Sequence, residues 1–173
     1  MIASAPFRLL LALGFTLALG ACSTLTGFSH TNASGYTQLQ HQQCVPYARD
    51  VSGIPIRGDA WTWWGQAAGR YARGNHPASG AVLVLAKTQR LTHGHLAVVT
   101  GVLSPRDILV THTNWGDNPF NRRIVYTAMR AQDVSPANDW TSVRFWNDEK
   151  SVFGFQYAAY GFIYNPRGTP ITY

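Results

Sequence analysis

The stretch HLAVVTGVLSPRDILVTHTNW, residues 95–115, decides the fold that the sequence predicts. It holds two apolar runs, at 95–103 and 108–115, in which alternate side chains face opposite sides of a strand. The residues between the runs, SPRD at 104–107, are typical of a compact turn. The two runs are therefore predicted to form an antiparallel hairpin.

Helices are predicted before this hairpin and more strands around it. A short helix begins at Cys44, because Pro46 suits a first turn and Gly53 suits the left-handed residue beyond the end. Asp59 is a good N-cap for a second helix over 60–71. Short apolar runs predict further strands at 81–86, 123–128, 141–146 and 160–164. Helices followed by hairpin-linked strands indicate an α+β domain with an antiparallel sheet of about five or six strands.

Residues 1–21 read as an export signal. Arg8 is the only charge, an apolar run covers 9–19, and LGAC at 19–22 resembles the bacterial lipobox. That resemblance implies cleavage before Cys22 and lipidation of its thiol and amine, which anchors a chain on a membrane without spanning it. An ordinary cleaved signal and a single anchor helix are the alternatives.

Three further expectations concern the location of the protein and the division of the chain into segments. Ser23 after the lipidated position implies the periplasmic side of the outer membrane of a Gram-negative bacterium. Residues 22–40 are rich in Ser, Thr, Gly, Asn and Gln and are predicted to be a lipidated flexible tether. Residues 41–173 then form the functional domain.

Length and composition favour one globular domain. The chain has 173 residues, of which 46% are hydrophobic and 13% charged, with a formal net charge of +6. A basic cytosolic chain would suggest nucleic acid, but export argues against that partner. Anionic lipid headgroups or the carboxylate-rich peptides of a cell wall are the expected partners of a monomer, and simple solubility charge is the alternative.

Cys44 is predicted to be a nucleophile. The chain has two cysteines, and a lipidated Cys22 leaves Cys44 unpaired in a compartment where paired cysteines form disulfides. A helix N-terminus is expected to lower the pKa of its thiol. A Cys22–Cys44 disulfide and an inert buried thiol are the alternatives.

The hairpin supplies a base for such a thiol. Strand alternation places His95, His112 and Asn114 on one face. A hairpin register without a bulge makes Asn114 the nearer neighbour of His95, whereas a bulge near Gly101 makes His112 the nearer one.

The ordered set of QC at 43–44, GHLAVV at 94–99 and HTNW at 112–115 resembles the CHAP domain, the cysteine, histidine-dependent amidohydrolase/peptidase domain of the papain-like, NlpC-type cell-wall hydrolases. The resemblance covers about residues 40–147. It implies a papain-like α+β fold with N-terminal helices packed on the antiparallel sheet, and 41–173 as a CHAP-like catalytic domain.

The resemblance also implies roles. Cys44 becomes the nucleophile of a thiol protease or amidase, His95 the general base and then acid, and Asn114 the polar residue of the Asn-Trp motif. Many CHAP domains carry glutamate where this chain has His112, and a histidine third member occurs in the NlpC-type branch. His112 and Asn114 are thus both candidates for orienting His95.

Supporting residues are expected around this set. The backbone amide of Cys44 with Gln43 or Gln38 would form an oxyanion hole. Aromatic residues are expected as walls of a substrate groove, with core packing as the alternative; they are Tyr47, Trp64 and Trp115.

No cofactor or metal is expected. Some relatives bind calcium through aspartates flanking the cysteine, but residues 36–49 contain no carboxylate. Zinc held by His93, His95 and His112 is the weaker alternative, because no acidic residue lies near this His-x-His pair.

The expected function is a peptidoglycan hydrolase that cuts an amide bond through a thioester. The bond is either that between muramic acid and L-alanine, cut by an amidase, or one in the stem peptide, cut by an endopeptidase. The alternative is a catalytically inactive, lipid-anchored module that binds the cell wall.

Overall fold

The computed structural model describes residues 30–31, 36–38 and 43–166. These residues form mostly β-structure, with two short α-helices, α1 (Cys44–Ser52) and α2 (Trp63–Gln66), and 3-10 turns at Ala60–Thr62 and Asn121–Arg123. The strands follow in chain order: β1 (His30–Thr31), β2 (Tyr36–Gln38), β3 (Ala72–Gly74), β4 (Val82–Leu85), β5 (His95–Ser104), β6 (Asp107–Thr113), β7 (Ile124–Asp133), β8 (Ser142–Asn147) and β9 (Val152–Tyr164).

Six of these strands close into an antiparallel barrel. The hydrogen-bonded order is β4, β5, β6, β7, β8 and β9, and β9 returns to pair with β4. Strand β2 extends the sheet from β7 and carries β1, and β3 pairs with β9.

The prediction of a papain-like α+β fold, with N-terminal helices packed on an antiparallel sheet of about five or six strands, is wrong. The closure depends on β9, which is 13 residues long. Its first part, 152–158, pairs with β8, and its second part, 159–163, pairs with β4. Alternating hydrophobicity locates strands, but it does not say which distant strands pair.

Two apolar clusters lie on opposite faces of β4 and β5. The inner cluster fills the barrel and includes Leu83, Leu85, Ala97 and Val99. The outer cluster joins the alternate residues of the same strands to the helical segment; it includes Val82, Val84, Leu96, Val98, Cys44, Ala48 and Trp63. All four residues of β4 are buried because both faces of the strand are covered.

Several local predictions are confirmed. The helix begins at Cys44, and the amide of Gly53, at φ 69°, donates to the carbonyl of Arg49 over 2.9 Å. The hairpin of β5 and β6 is antiparallel, and Ser104 pairs with Asp107 across the turn. The second helix is shorter than predicted, since it is a 3-10 turn followed by the four residues of α2.

The export signal and Cys22 lie outside the described residues. Within 22–40, the described residues 30–31 and 36–38 pair as β1 and β2. Neither α1 nor α2 has the length and hydropathy needed to cross a membrane, and no other described helix has them.

Gly94 fixes the start of β5 and gives the first testable prediction. Its φ is +67°, and a Cβ there would lie 2.7 Å from the amide nitrogen of Trp61 and 2.8 Å from the carbonyl oxygen of Leu85. Replacing Gly94 by Ala should lower the free energy of unfolding by more than about 2 kcal/mol, because both the backbone conformation and the contacts are strained. Urea denaturation measures the change.

Gly65→Ala is the matched control, because nothing lies within 4 Å of its added Cβ and the residue is in α2. It should leave stability unchanged or raise it by up to about 1 kcal/mol. Equal effects of the two substitutions would contradict the strain at Gly94.

Candidate active site

A cavity of about 410 Å³ opens beside the N-terminus of α1. It is lined by Cys44 and His95, the predicted nucleophile and base, and by Gln43 and Asn114. Arg122 also contributes to its lining. The fold therefore brings residues from α1, β5 and the end of β6 to one opening.

Cys44 is a free thiol at the first position of α1, with 8% of the residue exposed. A backbone hydrogen bond with Leu96 holds the thiol against the start of β5. Burial raises the pKa of Cys44, and backbone hydrogen bonds with Leu96, Val45 and its own amide only partly oppose this. The predicted lowering of the thiol pKa is wrong, because the loss of water on burial outweighs these backbone hydrogen bonds.

His95 is the first residue of β5 and is 2% exposed. Burial lowers its pKa to about 3, so the imidazole is neutral at pH 7. Its Nε2 lies 2.9 Å from Nδ1 of His112, and one of these two nitrogens carries the shared hydrogen. The ring of Trp115 packs against it with a centroid distance of 4.6 Å.

His112 lies inside the barrel, where it is fully buried. Burial, and secondarily the charge of a protonated His95, hold its pKa well below the usual value. Its Nε2 lies 3.2 Å from Sδ of Met129 on β7. Its ring packs at centroid distances of 5.4 to 5.5 Å against three aromatic rings, those of Trp115, Tyr126 and Phe145.

A bulge decides which side chain meets His95. The register of β5 and β6 shifts between Val99 and Gly101, which is the bulged alternative considered from sequence. His112 contacts His95 in this register. Asn114 follows the end of β6 at φ +57°, and its Nδ2 donates instead to Oε1 of Gln43 over 2.7 Å.

None of the three aromatic residues predicted as groove walls is among the residues that line the cavity. The hydroxyl of Tyr47 is 2.5 Å from Oγ1 of Thr111. Trp64 lies under the guanidinium of Arg73, 4.7 Å from its carbon. Trp115 packs inward against His95 and His112.

Gln38 and His93 are also residues that the sequence analysis named as candidates. Gln38 of β2 pairs through its backbone with Ile124 of β7, and its side chain is outside what the structure describes. His93 does not join His95 and His112, because its Nδ1 pairs with Oδ1 of Asp59 at 3.1 Å on the surface. Across residues 30–31, 36–38 and 43–166, no three His, Cys, Asp or Glu side chains are grouped to hold a metal.

Met129 is a site residue that the sequence did not reveal. It lies opposite Val110 in the pairing of β6 with β7, beyond the end of the strand predicted over 123–128. An apolar residue in a strand is typical of a core, so no sequence signal distinguishes it.

The buried histidines generate a pH prediction. Both are neutral in the folded protein, whereas an unfolded histidine titrates near pH 6.5. The unfolded chain therefore binds protons first, and stability should fall as pH drops from about 6.5 towards 3, by up to about 1.4 kcal/mol per pH unit for each histidine.

Chemical denaturation at several pH values measures this slope. His112→Gln removes one of the two groups and should reduce the slope, while His76→Gln, on a residue outside the cavity lining, is the control. A slope unchanged by His112→Gln would contradict the buried neutral state.

Comparison with known families agrees with the chemistry of these residues. Residues 32–114, a little under half of the chain, match the family model of the CHAP domain. No curated protein sequence matches the chain. The CHAP match supports a hydrolase acting on peptidoglycan. Over the segment that carries Cys44, His95, His112 and Asn114, the chain is similar to the CHAP domain family, whose members are typically amidohydrolases or peptidases.

Proposed function

We propose that the chain is a cysteine-dependent peptidoglycan hydrolase that cleaves an amide bond through a thioester. The observation that carries this proposal is the shared cavity of Cys44 and His95. The thiol is hydrogen-bonded to the backbone of Leu96, the residue after the base, and His112 holds the base at 2.9 Å. A nucleophile, a base and a group that orients the base are the parts that acyl transfer requires.

The first half of the reaction forms the thioester. Thiol and imidazole are both neutral at rest, since the pKa of Cys44 is raised and that of His95 is about 3. The thiol proton therefore passes to His95 as Sγ bonds to the amide carbonyl carbon, not before. The imidazolium then gives this proton to the amine nitrogen, the carbon–nitrogen bond breaks, and the amine leaves.

The second half regenerates the thiol. Water attacks the thioester carbonyl while His95 accepts one of its protons, and the carbon–sulfur bond breaks to release a carboxylic acid. The departing thiolate recovers the proton from His95. Both steps pass through an oxyanion that needs hydrogen-bond donors.

Gln43 is proposed as one of those donors. Its Oε1 accepts from Asn114 at 2.7 Å, which leaves its Nε2 group as the donor at the rim of the cavity. Asn114 therefore acts through Gln43 and not through His95. The backbone amide of Cys44 is the second proposed donor.

The cleaved bond and the location of the protein complete the proposal. The bond is that of an N-acetylmuramoyl-L-alanine amidase or of a stem-peptide endopeptidase. A lipid on Cys22 and the tether would hold a monomer on the periplasmic side of the outer membrane of a Gram-negative bacterium. The mass of the mature N-terminus, with or without a diacylglycerol on Cys22, tests the anchor.

Dye release from labelled peptidoglycan tests the reaction. The full chain should release dye and Cys44→Ala should release none, because no other group forms the thioester. Mass analysis of the products names the bond through its new termini. Release by Cys44→Ala equal to that of the wild type would contradict the proposal, and wall binding without release by the wild type would favour the inactive module.

The distinct contacts of His112 and Asn114 predict distinct kinetics. His112→Ala should lower kcat at least tenfold, about 1.4 kcal/mol of barrier, because His95 loses its oriented partner. Adding Asn114→Ala to Gln43→Ala should cost little beyond Gln43→Ala alone, because the two residues act as one unit. Additive losses from Gln43→Ala and Asn114→Ala would show that Asn114 acts independently.

A further inference from the structure

We propose that Met129 is a positioning residue that fixes which ring nitrogens of His112 and His95 carry hydrogen, through acceptance of a hydrogen bond by its Sδ from Nε2 of His112. The inference rests on the proposed function for its kinetic part only. Met129 lies on β7 within the inner apolar cluster, is 8% exposed, and places Sδ 3.2 Å from Nε2 of His112.

The thioether of Met129 determines which nitrogen of His112 carries hydrogen. A methionine sulfur carries no hydrogen and acts only as a weak acceptor. Nε2 of His112 must therefore carry the hydrogen of this contact, since two lone pairs at 3.2 Å would repel each other. A neutral imidazole holds a single ring hydrogen, so Nδ1 of His112 is a bare acceptor.

The tautomer of His112 in turn determines that of His95. Because Nδ1 of His112 is an acceptor, Nε2 of His95 donates the hydrogen bond of 2.9 Å. The single hydrogen of neutral His95 is then on Nε2, and its Nδ1 is unprotonated. That lone pair is the one available to take a proton from Cys44.

The reverse arrangement would disable the base. A hydrogen on Nδ1 of His112 would be donated to Nε2 of His95 and would put the single hydrogen of His95 on Nδ1. Neither ring nitrogen of His95 would then have a free lone pair to accept the thiol proton. In that arrangement the bare Nε2 of His112 would also meet the sulfur of Met129, so the sulfur disfavours it.

The packing around His112 holds its ring in place, so the contact with Met129 determines the tautomer. Three aromatic rings enclose the imidazole and hold its plane. The hydrogen bonds of His112 in the structure run from one nitrogen to His95 and from the other to Met129. The sulfur of Met129 is an uncharged acceptor at the end of the hydrogen bonds that link His95, His112 and Met129. It suits a fully buried imidazole because it adds no charge to the barrel interior.

The test exchanges one atom. Norleucine replaces the sulfur of methionine by a methylene of similar size, and the chain contains two methionines, Met1 and Met129. Long-range proton–nitrogen NMR of the full chain reads the protonation of each ring nitrogen directly. The methionine form should have Nε2–H and bare Nδ1 on both His95 and His112, and the norleucine form should lose this uniform assignment.

The selenomethionine form is the matched control, because it undergoes the same labelling at both positions but keeps a chalcogen acceptor. It should keep the wild-type tautomers. The norleucine form should lose at least about tenfold in kcat, part of the roughly 10²- to 10⁴-fold that general acid–base catalysis contributes, with KM unchanged. Met129→Leu, which removes the sulfur without labelling, should match the norleucine form.

Three results would overturn the proposal: Nδ1–H on His112 in the methionine form, identical tautomers in the methionine and norleucine forms, or loss of the tautomers in the selenomethionine form. The NMR measurement needs no substrate. A chain without hydrolase activity whose tautomers change with norleucine would therefore refute the proposed function while supporting the positioning by Met129.

Discussion

The burial of both faces of β5 is the constraint on which the rest of the structure depends. Its outer face supports α1, and its inner face belongs to the barrel core. Cys44 therefore approaches the strand from outside the barrel, at the backbone of Leu96. His95 lies on the inward face of β5, which it shares with Ala97 and Val99 by strand alternation. The two groups meet at the first residues of β5, where the barrel opens into the cavity.

The same burial determines the protonation states of the site residues. Loss of water raises the pKa of Cys44 and lowers that of His95 and His112, so all three groups are neutral at rest. A preformed thiolate–imidazolium pair is thereby disfavoured. The polar contacts that remain are directional hydrogen bonds, which makes the placement of single hydrogens more important than net charge.

The sequence predicted the local features well. The helix at Cys44, the hairpin and the strand that begins at His95 are specified by neighbouring residues, through Pro46, Gly53 and the turn at 104–107. Barrel closure was not predictable, because it depends on pairing β9 with strands far away in the chain. The pKa of Cys44 was mispredicted because burial is a property of the packed fold. Met129 carried no signal, since its importance comes from a contact between strands and not from its own segment.

The part of β5 that precedes the bulge between Val99 and Gly101 is specified by its length as well as by its residues. Removing one residue between His95 and Val99 would turn His95 to the opposite face if Val99 kept its place, because strand orientation has a period of two. The imidazole of His95 would then lose its contact with His112. Small deletions in this strand are therefore a more severe perturbation of the site than most substitutions in its lining, and redesign of the protein should keep the spacing of β5 intact.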